Sequence, residues 1–372
     1  MNRKYKLLYI EDQDPQTCVN LLKEGDMFDV ETVDAATTDE TLDKIKDHSF
    51  DIFLMDFELT SHTGRVDAPT YASTLRTKFK EHKDCPIILI SSDRNIGRFK
   101  QDFSNNDLFD IVVTKEEFGT RYQKYKFRMY DLVEAYSKIK ESNFDVSSIL
   151  GVNDENLLDF RFVHYLKMYG ANQDVYGICR FIQKTYLQSI GPLIGEDVVA
   201  ARLGIDKECD DFKELMKLLE SYKYKGILST SYKRWWSEEI QKWWNREFDG
   251  EFLRLMPAQQ RIQALNSKFN LHLRSVNPLE FNRSTCYWSI CNKLKRPIDP
   301  NEGYVILNDK IYPWQEQEFL SKEAILNDSF LLKKISSLDC KQIIKYGKEI
   351  TEEKKMLKEM IFGIRYMIYL FY

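Results

Sequence analysis

Four short stretches in the first third of the chain end in residues able to do chemistry. Glu11 and Asp12 follow the apolar run "KLLYI" (6–10), and Asp56 closes "FDIFLMD" (50–56). Ser91 and Ser92 close the apolar part of "CPIILISSD" (85–93), and Lys115 closes "FDIVVTK" (109–115). An ionised carboxylate is costly in surroundings as apolar as Ile52–Phe57, so Asp56 needs partners that compensate its charge. Three carboxylates brought together repel one another, and a hard divalent cation relieves the repulsion. Mg²⁺ suits such a set, because it takes one or two carboxylates together with waters and a phosphate oxygen. Beside such a cation, Asp56 is an oxygen nucleophile able to form an aspartyl phosphate. Lys115 would offer a charge to the phosphoryl group, and a serine hydroxyl a hydrogen bond.

This chemistry requires the four stretches to meet, and the elements around them say how they would. "KLLYI", "FDVETVDA" (28–35), "FDIFLMD", "CPIILISSD" and "FDIVVTK" read as five strands. Most are near-continuous apolar runs, as in a parallel sheet covered on both faces. Helical patterns alternate with them: "PQTCVNLLKEG" (15–25), "TDETLDKIKDHS" (38–49), "APTYASTLRTKFKEH" (68–82) and a short one near "RNIGRFKQDF" (94–103). Strands alternating with helices predict right-handed crossovers and a doubly wound α/β sheet. In such sheets, ligands sit beyond the carboxyl ends of the strands. All of the polar residues above fall at those ends.

On the motifs "YIEDQ", "IFLMDFEL", "IILISSD" and "IVVTKEEF", residues 5–118 resemble the receiver domain of two-component response regulators, a flavodoxin-like fold. The resemblance implies that Asp56 is the phosphoacceptor and a histidine kinase the phosphodonor. It implies Mg²⁺ held by Asp12, Asp56 and the backbone carbonyl of Glu58, with Glu11 acting through a water. Ser91 would be the switch hydroxyl and Lys115 the phosphate-sensing lysine. Chemistry would be limited to self-catalysed gain and loss of the phosphoryl group. The sequence departs from the family pattern at three places. The loop after Asp56, "FELTSHTGRVDAPTYASTLR", is long and lacks a Pro-Gly turn. Glu116 stands where a proline usually follows the lysine, and Val112 where an aromatic usually precedes it by three residues. The long loop resembles those of receivers from bacterial conflict (phage-defence) systems.

The chain has 372 residues, enough for about two to three domains. A helix over 119–142 would end the receiver, placing the domains at 1–142 and 143–372. Residues 1–118 carry 24 acids against 15 bases, and the remainder 34 against 39. The rear excess is too small to point to nucleic acid by itself. Seven scattered cysteines with no CxxC pair suggest reduced thiols in the cytoplasm. No leader or spanning segment is read at the N-terminus.

The rear domain reads as mainly helical, with a possible hairpin at "YVILNDKIYPW" (304–314). In "KRWWSEEIQKWW", Trp236, Ile240 and Trp243 would share a helix face, flanked by Trp235 and Trp244. Such aromatics beside Lys233 and Arg234 either stack nucleobases or, the favoured reading, pack a core. "GEDVVAARLGID" has a helix-turn-helix character, but the helix after it offers acids at Asp210, Asp211 and Glu214, which disfavours DNA reading. The closing "MIFGIRYMIYLFY" is apolar all round and too short to span a bilayer, so it reads as a docking helix. His164 and His272 are isolated, Cys286 and Cys291 lack metal-ligand spacing, and no phosphate loop, HExxH or GxSxG occurs. The rear domain is therefore expected to bind a protein partner or a second copy of the chain, or to buffer phosphoryl groups. The alternatives are a DNA-binding transcriptional regulator and a receiver-controlled effector enzyme.

Overall fold

A computed structural model of the chain describes residues 3–33, 45, 49–59, 66–78, 84–96, 107–153, 155, 158–308 and 310–348. By internal contacts the chain divides into two units. The first is Met1–Thr185 with Tyr224–Lys233, and the second is Tyr186–Lys223 with Arg234–Tyr372. Residues 143–185 and 224–233 thus group with the N-terminal sheet, and the position near 143 lies inside the first unit.

In the first unit, strands β1 (Tyr5–Ile10), β2 (Phe28–Val33), β3 (Ile52–Asp56), β4 (Ile87–Ser91) and β5 (Ile111–Thr114) form one parallel sheet in the order β2-β1-β3-β4-β5. This is the flavodoxin-like order, whose switch point lies between β1 and β3. Leu8, Ile10, Phe53, Met55, Ile87 and Leu89 share one buried cluster. Alternation turns Leu7, Tyr9, Ile52, Leu54, Ile88 and Ile90 to the opposite face, where they are equally buried. That is why these strands read as unbroken apolar runs rather than alternating ones.

Helix α1 (Gln16–Lys23) follows β1, and Lys126 closes its far end by donating to the carbonyl of Glu24. Of the helix expected over 38–49, Ile45 is helical and fully buried, and the rest lies outside the described residues except Ser49, which is not helical. The long loop after Asp56 begins and ends as a ribbon pairing Glu58–Leu59 with Val66–Asp67. Helix α2 (Ala68–Lys78) runs on from it. Helix α3 (Lys115–Thr120) starts directly at Lys115, capped by Thr114, whose hydroxyl accepts the Glu117 amide at 3.0 Å. Thr114 to Glu117 has the spacing of a capping box, and Glu116 and Glu117 suit the positive first turn. The departure at Glu116 is thereby accommodated. Helix α4 (Tyr122–Glu141) bears Tyr136, whose hydroxyl donates to Asp110 at 2.7 Å; Arg76 reaches the same carboxylate at 3.0 Å. Helices α5 (Phe160–Ala171) and α6 (Val175–Ile182) follow in the same unit. The ring of Tyr176 lies 3.7 Å from the Arg76 guanidinium.

The second unit is helical with small two-stranded ribbons. Its elements include α7 (Glu196–Leu203), α8 (Phe212–Leu218), α9 (Ser237–Glu247) and α10 (Ala258–Phe269). One ribbon pairs Leu193–Ile194 with Trp235–Trp236. Trp235 and Trp236 are therefore strand residues ahead of α9, which corrects the expected helix face through Trp236. Tyr304–Val305 pairs with Phe319–Leu320, so the expected hairpin within 304–314 is corrected to a longer one. Asn308-Asp309 lacks the glycine that a tight turn favours, and Pro313 offers no amide to a ladder. Two arginines are buried in this unit. Arg202 donates to the carbonyl of Trp288 (3.2 Å), to Ser237 Oγ (2.6 Å) and to both oxygens of Glu316 (2.8 Å each). Arg261 donates to the carbonyls of Met256 (2.7 Å), Arg202 (2.6 Å) and Tyr287 (2.9 Å). The closing apolar stretch 360–372 lies outside the described residues.

Candidate functional site

The strand ends bring four of the expected groups into one hydrogen-bonded chain. Asp56, the last residue of β3, is 6 % exposed. Its Oδ2 lies 2.5 Å from the Lys115 ammonium, and its Oδ1 accepts the Ser91 hydroxyl at 2.5 Å and the Phe57 amide at 2.6 Å. The same ammonium is 3.0 Å from Glu11 Oε2. Both carboxylates are buried while Lys115 is half-exposed, so the site faces water on the lysine side. Asp12 is half-buried at the end of β1, next to Glu11. The Ser91 hydroxyl is buried, whereas Ser92 is exposed and accepts the Asn95 amide at 3.4 Å, starting a short helical turn.

The electrostatics follow from this arrangement. Burial works against the charge on Lys115, but hydrogen bonds and Coulomb attraction to Asp56 and Glu11 together outweigh it and raise its pKa. Burial is the main cause that pushes the Tyr9 hydroxyl far up, helped by Cys18 and by the bond to Glu11. It also pushes the Cys18 thiol up to about 12, despite the nearby Lys115. Both groups therefore stay neutral beside the acids.

Three positioning residues escaped the sequence reading. The Tyr9 hydroxyl donates to Glu11 Oε2 at 2.6 Å, and the Gln13 amide to Oε1 at 3.3 Å. Residues two apart on a strand share a face, so Tyr9 beside Glu11 was open to inference. The Asn95 side chain donates to Ser91 Oγ at 3.3 Å, one helical turn away. Thr114 was visible as the first residue of a capping-box pattern.

The donor set is chemically suited to a hard dication. Three carboxylates against one ammonium leave a surplus of two negative charges, all on oxygen. Among the described residues, no three acid, cysteine or histidine groups are already arranged around one cation position. The Lys115 ammonium lies between Glu11 and Asp56, within ion-pair distance of both.

The remaining expectations fall elsewhere. Trp235, Trp243 and Trp244 are buried in one apolar cluster of the second unit, and Trp236 is half-buried. They form core, the favoured reading, and not an exposed stacking platform. Val198 to Leu203 of α7 are all buried, and eight residues separate α7 from α8, which does not make the short turn of a DNA-reading helix pair. A cavity of about 660 Å³ in the second unit is lined by Lys207, Cys209, Asp210 and Lys213 among others, and by none of the expected site residues. Among the described residues no helix is long and apolar enough to cross a membrane.

The parallel sheet has the flavodoxin-like strand order, and an acid pair, an aspartate, a serine and a lysine stand at its strand ends. No family model and no curated protein matches the chain. Among solved structures, it is similar to the chemotaxis response regulator CheY4 of Vibrio cholerae, at 17% identity over 34% of this chain and 99% of that one, with a TM-score of 0.28. It is similar to the receiver domain of NtrX from Brucella abortus, at 18% identity over 34% of this chain and 98% of that one, with a TM-score of 0.28. Against the longer NtrX chain, the identity is 16% and the similar part spans 38% of this chain and 30% of that one, with a TM-score of 0.31. At such identities and TM-scores the likeness extends to none of these proteins' chemistry.

Proposed function

We propose that the N-terminal part of this chain is a phosphoacceptor switch and that Asp56 is the acceptor. The observation that carries the reading is the Lys115 ammonium held between Asp56 and Glu11, with Ser91 on the other Asp56 oxygen. An Asp56 oxygen attacks the phosphorus of a kinase phosphohistidine. The N–P bond breaks, and the electron pair stays on the imidazole nitrogen, which takes up a proton. Water later cleaves the acyl phosphate, returning the carboxylate and inorganic phosphate. Asp12, Asp56 and the Glu58 carbonyl would hold Mg²⁺, with Glu11 acting through a water. When bound, the cation neutralises charge on the transferring phosphoryl group. Lys115 pairs with a phosphoryl oxygen, and Ser91 turns its hydroxyl from the carboxylate to the new anion. The phosphoryl group carries roughly −1.5 to −2 charge and replaces the single negative charge of the Asp56 carboxylate.

For the second unit we favour binding of a protein partner over DNA reading. Its tryptophans are committed to the core, and exposed Phe252, Leu255, Phe330 and Leu338 leave apolar area on its surface. The test is intact-mass measurement after incubation with acetyl phosphate and Mg²⁺. One labile phosphoryl group is expected on the wild type and none on Asp56→Asn. Equal labelling of both proteins, or of neither, refutes the acceptor assignment.

A further inference from the structure

The first unit contains a route of contacts that leads away from the rim. It begins at α3, whose first residue is Lys115 and whose first turn holds Glu117. Tyr125 on α4 donates its hydroxyl to Glu117 at 2.6 Å. Arg128, one turn further along α4, has its guanidinium 5.8 Å from the Tyr125 ring centre. That guanidinium also lies 5.5 Å from the ring of Tyr232 and donates to its hydroxyl at 2.8 Å. Gln183 donates to the same hydroxyl at 2.9 Å. A turn beyond Arg128, Asp131 accepts the Ser231 amide at 2.7 Å. Tyr125, Arg128 and Asp131 are three apart and so form one stripe on α4.

The stripe ends at a particular place in the chain. Gln183 is two residues before the chain first leaves this unit, after Thr185, and Tyr232 is one residue before it leaves again, after Lys233. Two of the three connections to the rest of the chain, those after Thr185 and after Lys233, therefore lie within two residues of a group at one tyrosine hydroxyl. The anchors are also firm. Asp131 is buried, and burial raises its carboxyl pKa against the opposing bonds from Ser231. Tyr224, Ile227 and Leu228 of the same returning segment are buried, and the Ile227 amide donates to the Ile149 carbonyl at 2.9 Å.

We propose that segment 224–233 is a regulated strap, and that Glu117, Tyr125, Arg128 and Tyr232 pass the state of the rim to it. The proposal rests on the acceptor reading for its trigger. Lys115 is shared between two carboxylates, and phosphorylation replaces that of Asp56 with a more negative acyl phosphate. Recentring of Lys115 shifts the first turn of α3, and Glu117 carries that shift to Tyr125. Discrete rearrangement of such packed contacts is how small displacements reach distant segments.

The experiment is hydrogen exchange on the full chain, read by mass spectrometry on peptides covering 50–60 and 224–233. Beryllium fluoride with Mg²⁺ serves as the acyl phosphate mimic. In the wild type, protection is expected at 50–60, and exchange across 224–233 is expected to change by roughly fivefold, the size of one hydrogen bond made or lost. Tyr125→Phe and Tyr232→Phe should keep the response at 50–60 and lose the one at 224–233. Lys115→Met, with no additive, should by itself alter exchange at 224–233. The proposal is overturned if 50–60 responds while 224–233 does not, or if both tyrosine variants respond as the wild type does. If nothing binds at 50–60, the acceptor reading fails, and Lys115→Met alone decides. A change at 224–233 in that variant upholds the relay, and no change removes it.

Discussion

The rim of the first unit and the arginine pair of the second handle buried charge in opposite ways. At the rim, Asp56 and Glu11 share a half-exposed lysine. In the second unit Arg202 and Arg261 are almost completely buried; Arg261 donates to backbone carbonyls alone, and Arg202 to one carbonyl and to the side chains of Ser237 and Glu316. The rim has an exchangeable partner, because water can reach the ammonium that leaves. Arg261 has none, because its partners are core carbonyls that cannot turn to solvent. The two clusters thus differ less in charge than in whether a partner is free to move.

The largest effect expected from this contrast is at Arg261. Burial pulls its pKa down to about 10, against smaller opposing contributions from Cys286 and Asp299. Arg261→Met leaves three core carbonyls without their donor, and should cost the second unit about 3 kcal/mol, at about 1 kcal/mol or more for each. All six tryptophans lie in that unit, so a urea titration followed by tryptophan fluorescence reports it selectively. Asp56→Asn should shift that titration by nothing measurable. An equal loss in both variants would erase the distinction between the two regions.

The same contrast explains what the sequence made legible. The rim was readable because its residues sit at ends of apolar runs in chain order, and a parallel sheet brings such ends together by topology alone. Asp56 inside "IFLMDF" announced itself by its cost. The arginine pair left no such trace, since Arg202 finds Glu316 and a carbonyl at Trp288 across long separations with no shared pattern. Trp235 and Trp236 were read as helical from their neighbours, and pairing with Leu193–Ile194 overrode that local preference. At the rim itself, Tyr9 was passed over as one more apolar strand residue. Its hydroxyl is what holds Glu11.

A second prediction concerns alkaline pH. The folded-state pKa of Lys115 lies above its ordinary 10.5, because attraction to Asp56 and Glu11 outweighs the cost of burial. A raised pKa on a base means stabilisation that is complete below the unfolded value and lost as the pH climbs past the folded one. The stability gap between wild type and Lys115→Met should therefore be full at about pH 8 and shrink as the pH climbs above the ordinary 10.5. Urea titrations of the first unit, followed by hydrogen exchange at 50–60, measure it. A gap that stays constant over that range would mean that Lys115 contributes by packing, and the rim would then resemble the arginine pair.

The smallest effect is the sharpest test, and it falls on Tyr9. Tyr9→Phe keeps the buried ring and removes only the hydroxyl that donates to Glu11 at 2.6 Å. Glu11 retains the Lys115 ammonium at 3.0 Å and the Gln13 amide at 3.3 Å, so it is not orphaned. The loss expected is about 1 kcal/mol, the ordinary net value of one hydrogen bond. Read by exchange at strand β1, a loss as large as that at Arg261 would show that the rim is sealed as tightly as the core of the second unit. Lys115 could then not be spared from Glu11, and the exchange of partners that phosphorylation requires would have no room to occur. A loss near the expected value leaves Glu11 held by two remaining donors, one of them mobile, which is the condition that the proposed switching of Lys115 needs.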